Sequence, residues 1–322
     1  NIGFYVRGGS SDQNLILLDN ATVYNPSHLF GFFSTFNSDA VDNMTIYKGS
    51  MPAQYGGRLS STLDVSMRDG DLKNYHMNGG IGLISSRLTL EGPIQKEKSS
   101  FIVSARRTYA DALARTVGVE QVKGSILYFY DLNAELTYAL SNKDKLTLTA
   151  YHGKDKLGLD QIATMDWGNT IAALKWNHIF DSKKVSTTTL SYTDYKYNVS
   201  VDLTTGLNVM SRIRDINFNQ DFVFYPNEKN LIRFGFNSIY HQIVPGELVS
   251  KDPSQLKVSP YAHRYSWENT LYASNDMKLS DKLEFSYGAR LSSFSVLGGS
   301  DYYTFNEEDQ SIKDTIATKR GE

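Results

Sequence analysis

The stretch YFYDLNAELTYAL, residues 128–140, decides the fold of this chain. Its even positions are apolar throughout (Tyr128, Tyr130, Leu132, Ala134, Leu136, Tyr138 and Leu140). Its odd positions are mainly polar, with Asp131, Asn133, Glu135 and Thr137 among them. Because successive side chains of a β-strand point to opposite faces of the sheet, this pattern predicts a long strand with one apolar and one polar face.

The same alternation recurs along most of the chain. It is clear at residues 214–224, 231–241 and 264–279, and weaker at 170–180 and 185–201. About eleven such strands are expected between residues 73 and 297. Short polar turns separate them in alternation with longer connections near residues 110–125, 153–168, 200–212 and 243–262 and from 297 onward. An outer-membrane β-barrel has this arrangement, with short turns at one end and long loops at the other.

A soluble β-sandwich is the alternative, because a sheet with one hydrated face also alternates. Sandwich strands typically hold about five or six residues. Several segments here run for 11–16 residues, which is long enough to cross a bilayer at a tilt. In water, the repeated face of Tyr, Phe and Trp would favour aggregation. The pattern therefore favours the membrane barrel.

The composition excludes several other classes. The 322 residues include no cysteine, so disulfide scaffolds, thiolate zinc sites and cysteine catalysis are excluded. The net charge of −2 argues against a nucleic-acid-binding protein. The longest apolar run, residues 126–130, is too short for a transmembrane helix.

No motif indicates catalysis or a cofactor. The six histidines lack the close spacing of a metal site. Neither nucleotide-binding glycine motifs nor a GxSxG nucleophile elbow is present. We therefore expect that the protein is not an enzyme and that it has no cofactor, no metal site and no catalytic residue.

Residues 1–70 follow a different pattern and are expected to form a small α+β unit, with a boundary at 70/71. Short strands are expected at 2–6, 15–18, 44–47 and 63–66. Asp19 and Asn20 predict a turn, since both residue types tolerate left-handed geometry. A capped helical turn is expected at 37–41.

Several segments resemble one known family over residues 1–110. VRGGSSDQN (6–14) and LLD (17–19) resemble the plug domain of TonB-dependent outer-membrane receptors, and YKG (47–49), PAQYGGRLSS (52–61) and LDV (63–65) resemble the end of that plug. NPSHLFGFF (25–33), SSRLTLEGPI (85–94) and RRTY (106–109) are similar to its Bacteroidetes branch. Asn20 stands where many relatives have Gly, and Gln54 where Arg is frequent.

The resemblance implies a mainly β fold: a large antiparallel transmembrane β-barrel of about 22 strands with a plug inside. About eleven strands are half of that barrel, and open edges in lipid would leave backbone groups unpaired. The chain is therefore expected to hold the C-terminal part of a plug (1–70) and the N-terminal half of a barrel (71–322). A TonB box would precede it and the remaining strands would follow.

The resemblance also implies a function. It is the TonB-dependent import of a scarce nutrient (siderophore, cobalamin, glycan or peptide) across the bacterial outer membrane, with long loops extracellular and short turns periplasmic. The implied partners are TonB, outer-membrane lipid, the nutrient and, in this branch, a SusD-like surface lipoprotein; no nucleic acid is expected. The alternative is a structural or secretion-associated plugged barrel that scaffolds partner proteins without transport.

Two groups of site residues follow from the resemblance. Plug arginines are expected to pair with barrel glutamates, which implies a plug–barrel lock that includes Arg7 and Arg58. The partner glutamates are expected mainly in the half of the barrel beyond these residues, and Glu91, Glu135 and Glu268 are inward-facing candidates by alternation. Alternatively, each arginine binds local carbonyls. The plug turns would be Gly8, Gly9, Asp19, Gly49, Tyr55, Gly56 and Gly57.

The aromatic segment 24–33 is the candidate ligand-facing plug loop. Its candidate contacts are Tyr24, Asn25, His28, Phe30 and Phe33, because aromatic side chains and a histidine on a plug loop could meet a ligand from outside. The alternative interpretation is plug core containing one hydrogen-bonded histidine.

Overall fold

The computed structural model describes residues 4–109, 125–159, 162–201, 207–250, 263–298, 301–306 and 311–318. Within these ranges the only helical segments are two single 3-10 turns, Ser11–Gln13 and Leu29–Gly31. None of the described helical segments has the length and apolar character needed to cross a membrane. The fold is therefore nearly all β, and the expected α part of residues 1–70 is reduced to turns.

The first part of the chain forms a small four-stranded sheet, which we call the N-terminal sheet. The strands of this region are β1 (Asn14–Leu18), β2 (Ala21–Thr22), β3 (Ser27–His28), β4 (Phe33–Ser34), β5 (Val41–Tyr47) and β6 (Ser61–Met67). The sheet order is β2-β1-β6-β5, and β3 pairs separately with β4. Strands β1 and β6 run parallel, whereas the other pairs are antiparallel.

Local sequence explains most of this sheet. Asp19 and Asn20 take the left-handed φ values of 47° and 67° between β1 and β2, which confirms the predicted turn. The predicted helical turn at 37–41 is only a tight turn, in which Oδ1 of Asn37 accepts the backbone N–H of Asp39 at 3.1 Å. The described residues 4–6 of the predicted strand at 2–6 pair with no other strand.

Eleven antiparallel strands form a second, larger sheet, which we call the wall. They are β7 (His76–Ile81), β8 (Ser85–Gln95), β9 (Ser99–Thr108), β10 (Ile126–Ala139), β11 (Asp144–Leu159), β12 (Ala163–Asp181), β13 (Lys184–Val201), β14 (Leu207–Asn227), β15 (Asn230–Ser250), β16 (Arg264–Ser280) and β17 (Leu283–Leu297). Each strand pairs with the next along the chain, so β7 and β17 are the edges. A separate hairpin follows, β18 (Asp301–Phe305) with β19 (Ile312–Ala317).

The two faces of the wall differ as the alternation predicts. On β10, Asp131 and Glu135 are buried on the inner face, against the N-terminal sheet, whereas Leu132 and Leu136 are exposed on the outer face. The core of the N-terminal sheet includes Tyr151 and Ile171 of the wall. The N-terminal sheet therefore packs on the inner, polar face of the wall.

The strand connections differ between the two ends of the wall. At one end, the turn end, they comprise residues 96–98, 140–143, 182–183, 228–229 and 281–282. At the other, the loop end, they comprise 82–84, 109–125, 160–162, 202–206 and 251–263. The short turns are where the sequence predicts them.

Two of the predicted long connections, 153–168 and 200–212, are largely strand, and a third, 243–262, begins as strand. Most of 153–168 belongs to β11 and β12, and β14 and β15 continue through much of 207–212 and 243–250. On β11 to β14 the outer-face residues there change from apolar to charged or polar, so the apolar period ends while the backbone pairing continues. Residues 110–124 and 251–262 lie outside the described residues.

Candidate functional site

The candidate site is the contact between the N-terminal sheet with its loops and the inner face of the wall. Three clusters of polar side chains join the two. We call them the loop cluster, around His28, the central cluster, around Asp19, and the edge cluster, around Arg68.

The loop cluster holds a buried histidine between two wall carboxylates. Nδ1 of His28 lies 2.7 Å from Oδ2 of Asp155, and its Nε2 lies 3.4 Å from Oδ2 of Asp131. The backbone N–H of Leu29 donates to Oδ1 of Asp155 at 2.7 Å. Burial lowers the pKa of His28, but hydrogen bonds to Asp131 and Asp155 outweigh it and raise the pKa above its ordinary value.

An arginine and an aromatic ring complete the loop cluster. Nη2 of Arg106 donates to Oδ2 of Asp131 and to the backbone carbonyl of Ser34, each at 2.6 Å. The His28 ring stacks on Phe129 with 4.2 Å between ring centroids and 4° between planes. Residues 28–34 are therefore attached to the wall at both ends of the segment.

The tip of this segment faces the loop end. Leu29 and Phe30 take the left-handed φ values of 47° and 58°, and the Phe30 ring lies 4.8 Å from that of Trp167. Phe30 and Phe32 remain 44% and 78% exposed. Beside the segment lies a cavity of about 550 Å³, with Tyr24, Asn25, Phe33 and Tyr195 among its lining residues.

Some of the candidate ligand-facing residues are bonded to the wall, whereas others are exposed. His28 is 2% exposed and fully engaged with the wall, as the alternative interpretation expects. The Tyr24 hydroxyl donates to Oδ2 of Asp215 at 2.6 Å, and the carbonyl of Asn25 accepts Nδ2 of Asn169 at 3.0 Å. Of the candidates, Phe30 is the most exposed; whether any of them binds a ligand remains a prediction.

The central cluster is built on the turn between β1 and β2. Oδ1 of Asp19 lies 2.7 Å from Nζ of Lys175, and its Oδ2 lies 3.0 Å from Oγ1 of Thr149. The same hydroxyl lies 3.2 Å from Oε2 of Glu135. The backbone N–H of Met67 also donates to Oδ2 of Asp19, at 3.3 Å. Asp19 therefore both closes its own turn and binds a wall lysine.

The edge cluster lies just after β6. Nη1 of Arg68 contacts both carboxylate oxygens of Glu91 at 3.0 Å, and its Nη2 donates to the carbonyl of Asp39 at 3.2 Å. Next to it, Asp69 accepts the Thr137 hydroxyl at 2.7 Å and also pairs with Lys145. These contacts lie closer to the turn end than the loop cluster does.

The pairs expected for the plug–barrel lock differ in the structure. Glu91 pairs with Arg68, Glu135 belongs to the central cluster, and Glu268 lies 3.6 Å from Arg290 of the wall. Among the described residues, neither Arg7 nor Arg58 has a carboxylate within ion-pair distance.

Local contacts explain why the two arginines are placed elsewhere. Nη1 of Arg58 donates to the carbonyl of Gly57 at 3.0 Å. Gly49 has φ of 126°, and a Cβ there would lie 2.7 Å from Nη1 of Arg7. Both guanidinium groups thus lie beside the N-terminal sheet's own turns. Among the described residues Glu91 pairs with Arg68 instead, and the lock of Arg7 and Arg58 with other barrel glutamates stays a prediction.

The remaining predicted turn residues lie in the segments that precede β1 and β6, at the same end of the N-terminal sheet. Gly8 and Gly57 have positive φ, and Gly9 packs against Ser60. The Tyr55 hydroxyl donates to Oδ2 of Asp64 at 2.7 Å, and burial raises the pKa of both groups above their ordinary values. A Cβ at Gly56 would lie 2.5 Å from Nε of Arg290, so this turn also approaches the wall closely.

Sequence reasoning missed most of the wall residues of the three clusters: Arg106, Asp131, Asp155, Lys145 and Lys175. All of them occupy strand positions whose side chains contact residues 1–70. For Asp131 a signal existed, since it stands on the polar face of the quoted stretch. Within the described residues, no group of three or more His, Asp or Glu side chains is suited to a metal ion.

Part of this chain matches a known domain family. Residues 1–61 match the family model of the TonB-dependent receptor plug domain. No curated protein gives a significant match.

Solved structures match nearly the whole chain. The siderophore receptor PirA from Acinetobacter baumannii superposes with a TM-score of 0.65 at 16% identity, over 91% of this chain and 50% of its own. The alcaligin outer-membrane receptor FauA from Bordetella pertussis gives 0.64 at 14% identity, over 92% and 49%. A PfeA mutant from Pseudomonas aeruginosa, solved with enterobactin, gives 0.61 at 14%, over 89% and 51%.

At these identities the likeness shows the fold: this chain is similar to the plug and part of the barrel of such receptors. The chain spans about half the length of the solved structures it matches.

Proposed function

We propose that this protein takes part in TonB-dependent import of a scarce nutrient across the bacterial outer membrane. One observation carries the proposal: a segment that matches the plug family is held on the inner face of a long-stranded wall mainly by ion pairs and hydrogen bonds. We assign residues 1–70 to the plug and residues 71–322 to the wall of the barrel.

The polar character of the contact supports a plug that can leave the wall. Water can replace the partners of His28, Asp19 and Arg68 once they separate, whereas a shared apolar core would resist hydration. Apolar wall residues in the plug core are few, with Tyr151 and Ile171 the buried members. Such a contact seals the lumen at rest and can be broken by a pulling force.

The loop end supports the direction of entry. It carries the exposed rings of Phe30 and Phe32 and the adjoining cavity of about 550 Å³. We propose that the ligand binds here from outside the cell, and that TonB, pulling from the periplasm at the turn end, then displaces the plug. Siderophores, cobalamin, glycans and peptides are the candidate ligand classes.

The wall needs further strands to close. Among the described residues, each of the edge strands β7 and β17 pairs with a single neighbour, so one side of its backbone is unpaired. Unpaired backbone groups in lipid cost several kcal/mol each. We therefore propose that the eleven strands form part of a larger closed barrel. The segments at 25–33, 85–94 and 106–109 support membership of the Bacteroidetes branch, in which a SusD-like lipoprotein would cover the loop end.

Uptake measurements in cells test this function. Labelled ferric siderophore, cobalamin, oligosaccharide and peptide are offered to cells that express the full-length protein, to cells without it, and to cells without TonB. We expect one ligand class to accumulate only when both the receptor and TonB are present. Equal accumulation with and without TonB for every class would contradict the proposal and favour the scaffold function.

A further inference from the structure

The outer face of the wall changes character at one level on four neighbouring strands, β11 to β14. The row of register partners nearer the turn end is apolar or aromatic: Ala150, Ala172, Tyr192 and Ile216. The next row toward the loop end is His152, Thr170, Asp194 and Arg214, and the row after it is Lys154, Gly168, Lys196 and Arg212. Charge therefore begins abruptly along a line that crosses the strands.

The height of this line matches a membrane boundary. Strand β11 begins at Asp144 on the turn end, and Lys154 follows ten positions later. At about 3.3 Å per residue and a tilt near 40°, this path rises about 25 Å, the height of the apolar band of an outer-membrane barrel. If the turn end lies at one interface, the charged rows lie at the other.

Cations exceed carboxylates in these rows. The basic cluster comprises Lys154, Lys156, Lys196, Arg212 and Arg214, and the carboxylates among them are Asp166 and Asp194. Lys154 pairs with Asp166 at 3.0 Å, and Arg212 donates its Nε to Asp194 at 2.7 Å.

Part of the positive charge is uncompensated. Lys156 and Lys196 have no carboxylate within 4.0 Å among the residues that the structure describes. Nε of Arg214 lies 3.8 Å from Asp194 and is buried without a hydrogen-bond partner in the same part of the chain. Within the described ranges, the ammonium groups of Lys156 and Lys196 are therefore unpaired at the edge of an apolar surface, whereas the Arg214 Nε is shielded from it.

A depression in the outer face lies within the basic cluster. Gly168 is the register partner of both Lys154 and Lys196, so no side chain separates the two lysines. The resulting cavity has a volume of about 170 Å³, and His152 and Thr170 also line it. Two ammonium groups, an imidazole and a hydroxyl thus surround one shallow space, together with the carboxylates of Asp166 and Asp194. The Lys154 ammonium is paired with Asp166, so the Lys196 ammonium is the free cation of this space among the described residues.

On the turn-end side of this depression, past the row of Ala150 and Ala172, the wall has an apolar surface on which hydrocarbon chains can lie. Leu148, Leu174 and Leu190 are register partners on three strands and are 43%, 46% and 51% exposed. An occupant that satisfies both surfaces carries an anionic group next to long apolar chains. A soluble anion would use only the upper part.

We propose that the basic cluster binds the phosphate group of a membrane lipid headgroup, with the acyl chains lying on the leucine surface below. Lysine and arginine are the usual phosphate ligands, and a site beside lipid hydrocarbon strengthens each ion pair. This inference rests on the membrane placement in the proposed function, but not on transport.

Lipid binding by the full-length, detergent-purified protein tests the proposal. The probes are dioleoyl phosphatidic acid and, as the matched lipid without net charge, dioleoyl phosphatidylcholine. We expect Lys154→Gln/Lys196→Gln/Arg212→Gln to weaken phosphatidic acid binding roughly 100-fold, since each cation near an anionic lipid surface contributes a factor of about five. The control Lys183→Gln/Lys229→Gln, at the turn end, should bind as the unaltered protein does.

A second variant separates binding from folding. Lys196 is exposed and has no ion pair among the described residues, so Lys196→Gln should leave the fold intact and weaken binding about fivefold. Unchanged binding in both variants, or equal affinity for the two lipids, would overturn the proposal.

Competition separates a lipid site from a site for free anions. If 10 mM inorganic phosphate displaces the lipid completely, the cluster is a free-anion site and the proposal is overturned. Because binding is measured without transport, failure of lipid binding and failure of uptake are distinguished.

Discussion

Asp19→Ala should release the N-terminal sheet from the wall more strongly than any other single change in the central cluster. The substitution removes the partner of the Lys175 ammonium and the acceptor of Thr149 and of the backbone N–H of Met67. Breaking a buried ion pair from one side costs about 3–5 kcal/mol. At about 1.4 kcal/mol per factor of ten, the opening equilibrium rises by about two to three and a half orders of magnitude.

Amide hydrogen exchange of the full-length protein in detergent measures this opening. Peptides covering β1 and β6 should exchange faster in Asp19→Ala, whereas peptides from β16 and β17 should not change. Asp42→Ala is the matched control, because Asp42 is an exposed carboxylate of the same N-terminal sheet. If the β1 amides are as well protected from exchange in Asp19→Ala as in Asp42→Ala, the central cluster does not hold the sheet in place.

Asp155→Ala should detach the aromatic segment 28–34 and leave the central cluster intact. Asp155 accepts both the His28 ring and the backbone N–H of Leu29 at 2.7 Å. Hydrogen bonds to a charged group contribute about 1.5–3 kcal/mol each, so segment opening should increase at least about 100-fold. Exchange of peptides covering residues 24–36, compared with the exposed control Asp181→Ala, measures the effect.

In the same variant, the protection of residues 24–36 should depend less on pH. The pKa of His28 is raised in the folded protein, so the stabilisation is complete below its unfolded pKa and declines as pH rises through the folded pKa. In the unaltered protein, protection of residues 24–36 should therefore fall from pH 6 toward pH 9. In Asp155→Ala that slope should be smaller. Equal slopes in the two proteins would exclude His28 as the titrating group.

The wall was predictable from sequence because a single rule generates it. In β10 the alternation assigns Leu132 and Leu136 to the outer face and Asp131 and Glu135 to the inner face, and burial confirms both. The rule did not predict the ends of the strands where the outer face becomes charged, as at Lys154 and Lys156. Apolar periodicity is absent there although backbone pairing continues.

The partners across the interface were not predictable in the same way. Alternation assigns Glu91 to a face, but it does not specify which arginine of residues 1–70 reaches it. That choice depends on how the N-terminal sheet is placed on the wall, which brings Arg68 to Glu91 and leaves Arg7 beside Gly49. The prediction used residue type and neighbouring glycines, and neither encodes this placement.

The interface also explains why the two parts of the aromatic segment 28–34 have different environments. His28 is buried among wall residues, whereas Phe32 of the same segment is 78% exposed toward the loop end. The left-handed residues Leu29 and Phe30 reverse the chain between them. An anchored segment with an exposed tip could couple ligand binding to the plug contact through the loop cluster.

Transport through a plug tethered to the wall tests the central claim, that residues 1–70 must leave the wall for the ligand to pass. Nδ2 of Asn37 lies 2.7 Å from Oγ of Ser104 on β9, and the chain has no cysteine of its own, so Asn37→Cys/Ser104→Cys is a suitable cross-link. The control Asn14→Cys/Ser61→Cys joins β1 to β6 within the N-terminal sheet, where the side chains lie 2.6 Å apart.

Uptake of the ligand identified in cells is then measured in oxidised and reduced cells for both pairs. The account predicts that oxidation abolishes uptake in Asn37→Cys/Ser104→Cys, that reduction restores it, and that the control pair transports in both states. Undiminished uptake by the oxidised, fully cross-linked Asn37→Cys/Ser104→Cys protein would contradict it.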